Sequence, residues 1–422
     1  MKIGIFTTFY NLDTAYSLVT VVKQQLKMLV KHGYTPVLFV LENFNDDTVL
    51  EGVEVRKTIP QLILEPYGHG DLSNLDKDVE KAKKALEETM VDIDVCLTHD
   101  IIFINSYLPY NIAMRKAIDG KLNKVKWLHW MHSGPSIRPQ LDDSPWDNLY
   151  TLPANSRLIY MNYTDSIRAA EMYGVWPKDV KTIFNPMDIR EFFDVDPFVW
   201  DLTDSYDILN AEFICVYPLS TTRMGPEGKQ VAKVIEIMAD LKQLGRKVKL
   251  IIPNAHANGK REKEAIEEQL QIAGSLGLDR SEVIFTSLFN APKYEHGLPH
   301  HIVKDLFLIG NLFIFPSVSE NCPLIQLEAM AAKSILVLNK NFPAMKDFTL
   351  ENAMYFNFGS LVETPNFPLG EDRYLMDVAK LINSEYENNK AVKAHTLLRQ
   401  RFNVDKIFKQ QLEPAIYDVL NN

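Results

Sequence analysis

Short apolar runs and longer amphipathic stretches alternate along the chain from its first residues. Lys2–Thr7 has the apolar content of a strand, and Ser17–Lys31 then repeats apolar residues at helical spacing, with Gly33 just past its end. Pro36–Leu41 is a second apolar run. This order of strand, helix and strand predicts the opening of a parallel α/β sheet.

The same alternation continues and predicts two α/β halves. The stretch 191–211, rich in aspartate and without a clean apolar period, is predicted to be a linker that can contain a short helix. In the first half we predict further strands over Val53–Lys57, Asp94–Thr98, Val125–Met131, Arg157–Met161 and Lys181–Phe184, and a helix over Leu75–Met90. In the second half we predict strands over Phe213–Tyr217, Lys247–Ile252, Val283–Phe285, Leu312–Phe315 and Ile335–Leu338, and helices over Lys229–Leu244, Arg261–Leu276 and Val404–Leu420.

The predicted fold class is α/β, with two doubly wound Rossmann-like domains facing a cleft. We expect the first domain at residues 1–205, the second at 206–400, and a C-terminal helix at 401–422 that packs back on the first domain. In doubly wound sheets, ligands bind outside the carboxyl ends of the strands. The loops that follow strands are therefore expected to carry the chemistry.

Composition and charge narrow the function classes. Of 422 residues, 46% are hydrophobic and 24% charged, which is typical of a globular protein, and the net charge of −10 disfavours broad binding to nucleic acid or anionic membranes. Cys96, Cys215 and Cys322 lie far apart and are predicted to be reduced thiols of a cytoplasmic protein. The start MKIGIFTTFY lacks the pattern of a signal peptide, and no apolar stretch reaches the roughly 18 residues of a membrane span.

The segment 311–339, NLFIFPSVSENCPLIQLEAMAAKSILVLN, has the pattern of a phosphate site. An apolar strand ends before Pro316, a polar loop follows, and Pro323 lies where the first helical residue is expected. Free N–H groups from Asn321 to Leu324 would point out of the helix start, where the helix dipole favours an anion. The expected donor-binding residues here are Asn321, Cys322, Pro323 and Leu324.

Two carboxylates flank this helix start. Glu320 precedes it and Glu328 follows within its first turns, where a carboxylate can accept hydrogen bonds from sugar hydroxyls. The stretch SENCPLIQLEAM resembles the Glu-x7-Glu motif of the retaining GT-B enzymes, especially glycosyltransferase family 4. The resemblance implies that Glu320 approaches the donor sugar as a catalytic residue and that Glu328 binds the ribose of the donor.

A basic loop follows the first strand of the second half, in the sequence VYPLSTTRMGPEGKQ. The resemblance implies that Arg223 and Lys229 clamp the donor diphosphate and act in catalysis. The chemistry fits, because the leaving nucleoside diphosphate gains negative charge as the glycosidic bond breaks, and fixed cations stabilise that charge. Such cations also remove the need for a divalent metal, so neither a metal nor a cofactor is expected.

The first half is expected to supply the acceptor side. The strand in VKWLHWMHSGPS ends at His132, which resembles the family's histidine beside the donor sugar; His129 is the weaker choice, and a hydrogen-bonded core histidine is the alternative. Asp100 also follows a strand and either positions an acceptor hydroxyl or caps a helix. Tyr10 and Asn11 stand where many relatives have a pair of glycines, and they are expected to line the acceptor pocket.

The expected function is transfer of a sugar from a nucleoside-diphosphate sugar, with UDP the expected nucleotide, to a saccharide or small-molecule hydroxyl. The resemblance implies retention by front-face displacement, in which the leaving phosphate takes the acceptor's proton. The alternative acceptor is a hydroxymethylated base in DNA, held by aromatic and basic residues of KVKWLHWMHSGPSIRP. A different class, a non-catalytic nucleotide-sugar-binding protein or an epimerase of the same fold, stays open.

Overall fold

The described contacts divide the chain into two compact units. The computed structural model describes residues 1–13, 15–48, 50–132, 150–289, 294, 296–318, 323–342, 344–360 and 373–421. One unit comprises Met1–Met187 with Phe402–Asn422, and the other comprises Asp188–Arg401. Each unit is built on one parallel sheet with helices, which confirms the predicted fold class of two doubly wound α/β domains.

The first unit contains a sheet of seven parallel strands. In chain order they are β1 Lys2–Phe6, β2 Thr35–Leu41, β3 Glu54–Ile59, β4 Val95–His99, β5 Lys126–Met131, β6 Ser156–Tyr160 and β7 Val180–Thr182. Their order across the sheet is β3-β2-β1-β4-β5-β6-β7, so the winding reverses between β1 and β4. The helices are α1 Ser17–Lys31, α2 Glu65–Gly68, α3 Leu75–Thr89, α4 Leu108–Asp119 and α5 Tyr163–Tyr173.

The second unit repeats this plan. Its strands are β8 Phe213–Val216, β9 Leu219–Ser220, β10 Val248–Ile252, β11 Asn254–Ala255, β12 Val283–Phe285, β13 Leu312–Phe315, β14 Ile335–Asn339 and β15 Met354–Phe356. The main sheet has the order β12-β10-β8-β13-β14-β15, with the reversal between β8 and β13, and β9 pairs with β11. The helices are α6 Ile189–Phe192, α7 Pro197–Ser205, α8 Val231–Gln243, α9 Lys260–Ser275, α10 His300–Ile309, α11 Leu324–Ala331, α12 Ala344–Thr349, α13 Tyr374–Asn388 and α14 Lys390–Arg401.

Both faces of the first sheet are buried, which explains why its strands are nearly continuous apolar runs. Along β2, Val37 and Phe39 join the apolar cluster that contains α3 and α4, whereas Leu38 and Val40 join the cluster that contains α1. Alternate residues of a strand point to opposite faces, so two helical layers require apolar residues at every position.

The predicted linker 191–211, for which a short helix was allowed, contains the short helix α7 and lies within the second unit. Asp196 caps this helix by accepting a hydrogen bond from the Phe198 N–H at 2.8 Å, and Pro197 occupies its first turn. Phe198, Val199 and Leu202 are buried in the apolar cluster of the second unit. Residues 188–205 therefore belong to the second unit, whereas the sequence analysis assigned them to the first domain.

The C-terminal segment belongs to the first unit and is not one continuous helix. It consists of α15 Val404–Ile407, a π-helical turn at Phe408–Leu412 and α16 Glu413–Leu420. Asp405 pairs with Lys31 at 2.9 Å, and Asp418 pairs with Arg157 at 2.8 Å. The segment thus contacts both α1 and β6. Among all the helices described, we find none with the length and apolarity needed to cross a membrane.

The thiols of Cys96 and Cys215 are buried and free. Burial raises the pKa of both, that of Cys215 to about 12. Both thiols are therefore protonated and inert at neutral pH. Cys322 lies outside the described residues.

Candidate functional site

Two loops meet where the winding of the second sheet reverses. The Val318 N–H, after β13, donates to the Gly228 carbonyl, after β8, at 3.2 Å. The Gln230 side chain donates to the Pro316 carbonyl at 2.5 Å. In doubly wound sheets the ligand crevice lies at this reversal, outside the carboxyl ends of the strands. The loop that carries Arg223 and Lys229 is therefore bonded to the loop that leads towards Pro323.

Lys229 is held at the end of the sheet. It is only 6% exposed, and its ammonium lies 4.5 Å from the centre of the Phe315 ring, an arrangement that the negative ring face stabilises. The Tyr217 hydroxyl donates to the Lys229 carbonyl at 2.5 Å. Lys229 itself is not helical, since α8 begins two residues later than predicted and Gln230 has φ 50°.

Arg223 lies six residues before Lys229 in the same loop and is exposed. It ends a 3-10 turn, Thr221–Arg223, and its carbonyl accepts the Lys229 N–H at 2.7 Å. This closure is tight, because a Cβ placed on Gly228 would lie 2.4 Å from the Arg223 carbonyl oxygen. The loop is thus a closed turn that presents the Arg223 side chain to solvent.

Helix α11 begins one residue later than predicted. Pro323 is buried and is the N-cap, with φ −76° and ψ 93°, and Leu324 is the first helical residue and 64% exposed. The Pro323 carbonyl accepts the Gln326 N–H at 2.9 Å. Glu320, Asn321 and Cys322 lie outside the described residues, so their predicted roles stay predictions.

Glu328 contacts a histidine that the sequence did not reveal as its partner. Its Oε1 lies 2.8 Å from Nε2 of His300, which is the first residue of α10. Its other oxygen, Oε2, is buried and has no hydrogen-bond partner among the described residues. Nothing in the sequence around His300 pairs it with a residue 28 positions away. One carboxylate oxygen is thus held by an exposed histidine, while the second is left to accept a hydrogen bond.

In the first unit, the strand ends beside the reversal bring Asp100 and His132 together. Oδ1 of Asp100, after β4, accepts the backbone N–H of His132, after β5, at 2.8 Å. Asp100 has φ 57°, a strained conformation for a residue other than glycine. The Asp100 carboxylate thus joins two strand ends, and the two roles considered for it stay predictions.

His132 also pairs with a second histidine. Its Nε2 lies 2.8 Å from Nδ1 of His99, the last residue of β4. His99 is 3% exposed, and burial lowers its pKa well below the ordinary value. Burial lowers the pKa of His132 as well, although the Asp100 carboxylate opposes that shift. Both rings are therefore neutral at physiological pH. The sequence placed His99 at a strand end but gave no sign of this pair.

His129 lies inside the sheet and offers no surface to an acceptor. It is 0% exposed, with Nδ1 2.8 Å from the Thr98 hydroxyl and Nε2 3.1 Å from the Ser156 hydroxyl. This is the hydrogen-bonded core histidine that was considered as the alternative. Trp127 and Trp130 are likewise at most 1% exposed, so neither can stack on a flipped DNA base. The residues 133–149 lie outside the described part.

Tyr10 and Asn11 lie in the loop after β1 and differ in how available their side chains are to a ligand. Tyr10 is 60% exposed, while its carbonyl accepts the Asn45 N–H at 2.8 Å. Oδ1 of Asn11 accepts the Asp13 N–H at 3.2 Å, so this side chain shapes its own loop. The Tyr10 ring is therefore the more available of the two for an acceptor. Within the described ranges, no group of three or more metal-ligating side chains occurs.

No protein-family model and no curated protein matches this chain. Among solved structures, it is similar to a glycosyltransferase from Rickettsia africae, with 12% identity, 100% of this chain and 98% of that chain covered, and a TM-score of 0.37. It is also similar to Anabaena HepE in complex with UDP and glucose, with 18% identity, coverage of 99% and 100%, and a TM-score of 0.37. A UDP-forming trehalose-phosphate synthase from Burkholderia xenovorans has 12% identity, 99% coverage of both chains and a TM-score of 0.37. Likenesses this distant assign no role to any residue here.

Proposed function

We propose that this protein transfers a sugar from a nucleoside-diphosphate sugar, with UDP as the expected nucleotide, to the hydroxyl of a saccharide or small molecule, with retention. The observation that carries the proposal is the hydrogen bond between Val318 and Gly228. It joins the loop with Arg223 and Lys229 to the loop ahead of α11, at the reversal of the strand order. Cations together with the amides at the start of α11 would suit a diphosphate.

The proposed chemistry is a displacement on one face of the sugar. The bond between the anomeric carbon and the diphosphate oxygen breaks, the acceptor oxygen bonds to the same carbon, and the acceptor's proton passes to the leaving phosphate. Arg223 and Lys229 would stabilise the charge that develops on the diphosphate. The buried Oε2 of Glu328, which has no partner among the described residues, would accept a hydrogen bond from a ribose hydroxyl. Glu320 would orient the donor sugar.

The first experiment removes the exposed one of the two cations of the loop, Arg223. We expect Arg223→Ala to lower turnover about 100-fold to 1000-fold, because a lost contact to developing charge has that effect. Arg280→Ala is the matched control, since Arg280 is also exposed but precedes β12 at the amino end of the sheet. The measurement is hydrolysis of a panel of nucleoside-diphosphate sugars without acceptor, followed by transfer to saccharides and NMR of the product anomer.

The same panel separates the roles of the carboxylates. Glu320→Ala is expected to lose most of the transfer, whereas Glu328→Ala is expected mainly to weaken nucleotide binding in calorimetry. Binding of no nucleoside diphosphate to the wild type, or an Arg223→Ala protein as active as the Arg280→Ala control, would contradict the proposal. An inverted anomer in the product would contradict retention alone.

A further inference from the structure

The two histidines at the ends of β4 and β5 form a direct ring-to-ring hydrogen bond. Nδ1 of His99 and Nε2 of His132 are 2.8 Å apart. A neutral imidazole has one N–H and one bare nitrogen, so a bond between two neutral rings contains one proton, donated by one ring to the other. Which ring donates decides which nitrogen of His132 carries its hydrogen.

The surroundings of His99 distinguish the two arrangements. If His132 donated, the His99 hydrogen would sit on Nε2, which is buried and has no partner among the described residues. A buried N–H without an acceptor is rare, because the desolvation of the donor is not offset by a hydrogen bond. If His99 donates from Nδ1, its Nε2 is bare, and a buried unpaired acceptor is the better tolerated of the two.

We propose that His99 is a positioning residue that donates its Nδ1 hydrogen to His132 and thereby fixes His132 with its own hydrogen on Nδ1. His132 then presents a hydrogen-bond donor, and not a base, to whatever binds at this strand end. The Asp100 carboxylate supports this placement, because it holds the backbone N–H of His132 at 2.8 Å. The catalytic use of His132 rests on the proposed function, but the arrangement of the two rings does not.

This arrangement also keeps His132 neutral. A proton added at Nε2 of His132 would force His99 to accept at Nδ1 and to hold its own hydrogen on the buried Nε2. Burial lowers the pKa of both rings, while the facing carboxylate of Asp100 raises that of His132. A fixed donor suits recognition of a sugar oxygen. It also agrees with a reaction in which the leaving phosphate, and not a side chain, takes the proton.

The test reads the hydrogens directly. Protein labelled with ¹⁵N in its histidine rings is studied by long-range ¹H–¹⁵N correlation at pH 7.5, with His132→Gln to assign the signals. We expect the His132 ring to carry hydrogen on Nδ1 and the His99 ring on Nδ1. A hydrogen on Nε2 of His132 in the wild type would overturn the proposal. This NMR measurement requires neither enzymatic activity nor a His99 variant.

Two variants then test the role of His99. The amide of His99→Asn can donate from nearly the same place as Nδ1, so His132 should keep its Nδ1 hydrogen. His99→Leu cannot donate, and His132 should change to the Nε2–H form. With donor and acceptor present, His99→Leu should lower kcat about tenfold with KM unchanged, the scale of one lost hydrogen bond, and His99→Asn should restore it.

The outcomes separate this proposal from the proposed function. An unchanged His132 tautomer in a folded His99→Leu protein would overturn the role of His99, whatever the activity. If the wild type transfers no sugar but its His132 changes tautomer in His99→Leu, the positioning role stands and the proposed function fails. Should His99→Leu not fold, the comparison of the wild type with His99→Asn still decides, because both must show hydrogen on Nδ1 of His132.

Discussion

His129 shows how a residue with reactive chemistry is used as a structural part of the sheet. Hydroxyls of Thr98 and Ser156 satisfy both ring nitrogens, so the side chain joins β4, β5 and β6. Burial, with a smaller effect of Arg115, lowers the pKa of His129 to about 3. In the unfolded chain the ring should titrate near its ordinary value of about 6.5.

The difference between the folded and the unfolded pKa of His129 makes the stability of the protein depend on pH in a known direction. The folded pKa is lowered, so the contribution of His129 is complete above about pH 6.5 and is lost as the pH falls towards 3. We expect His129→Asn to be less stable at pH 7.5, and its deficit to shrink by about 2 kcal/mol at pH 5. Denaturant unfolding of both proteins at the two pH values measures this. A deficit that is the same at both values would show that the pKa of His129 is the same in the folded and the unfolded protein.

Single residues were predictable when their role follows from position along the chain. His132, Asp100 and Lys229 all follow strands, and the alternation of strands and helices placed them at the carboxyl edge of a sheet. Two contacts were not predictable, the one between His300 and Glu328 and the one between His99 and His132. Each joins residues that are distant in sequence and become neighbours only in the folded chain. The roles of Glu320, Asn321 and Cys322 remain predictions from the motif.

At the scale of elements, α8 carries an acidic pair on the helix that follows the basic loop. Asp240 is 7% exposed and lies one turn after Glu236. Burial, and then the charge of Glu236, raise the pKa of Asp240 to about 6. Like charges one turn apart destabilise a helix, and a buried carboxylate is better tolerated when it is protonated.

The sign of the effect again follows from the direction of the shift. Because the pKa of Asp240 is raised in the folded protein, the contribution of Asp240 to stability is complete below about pH 3.8. It is lost as the pH rises through about 6. We expect Asp240→Asn to be more stable than the wild type at pH 8, on the order of 1–2 kcal/mol after allowance for solvent screening. The advantage should vanish near pH 3.5.

Thermal or denaturant unfolding at both pH values gives the comparison. Asp201→Asn, at an exposed position of α7, is the matched control. It should leave the free energy of unfolding unchanged at both pH values. An equal gain from Asp240→Asn at pH 3.5 and pH 8 would show that the charge of Asp240 is not the cause.

At the scale of the whole molecule, chain order and structural unit do not coincide. The last residues return to the first unit, where Phe408 stacks on His32 with ring centres 4.0 Å apart and contacts Tyr34 at 5.6 Å. Ile407, Leu412 and Ile416 are also 0% exposed. Each such side chain contributes about 1.5–3 kcal/mol by burial, so the segment is a large part of the stability of that unit.

We therefore expect Phe408→Ala to destabilise the first unit by about 3–5 kcal/mol. Hydrogen exchange should speed up across residues 1–187 and 402–421, even though the substituted residue follows the whole second unit in the chain. Ile382→Ala, in the core of the second unit, is the reciprocal control and should affect residues 188–401. If Phe408→Ala sped up hydrogen exchange only in residues 188–401, the assignment of residues 402–421 to the first unit would be contradicted.

The sequence by itself determined the class of fold, because the period of apolar residues depends only on local geometry: two for a strand, about 3.6 for a helix. It also predicted that the polar loops after Val216 and Phe315 carry the chemistry, since they follow buried strands. Tertiary structure alone decided that α7 belongs to the second unit and that a π-helical turn divides the last helix. It likewise decided that His129 is core and that His99 bonds to His132, because burial and proximity arise only when distant strands become neighbours.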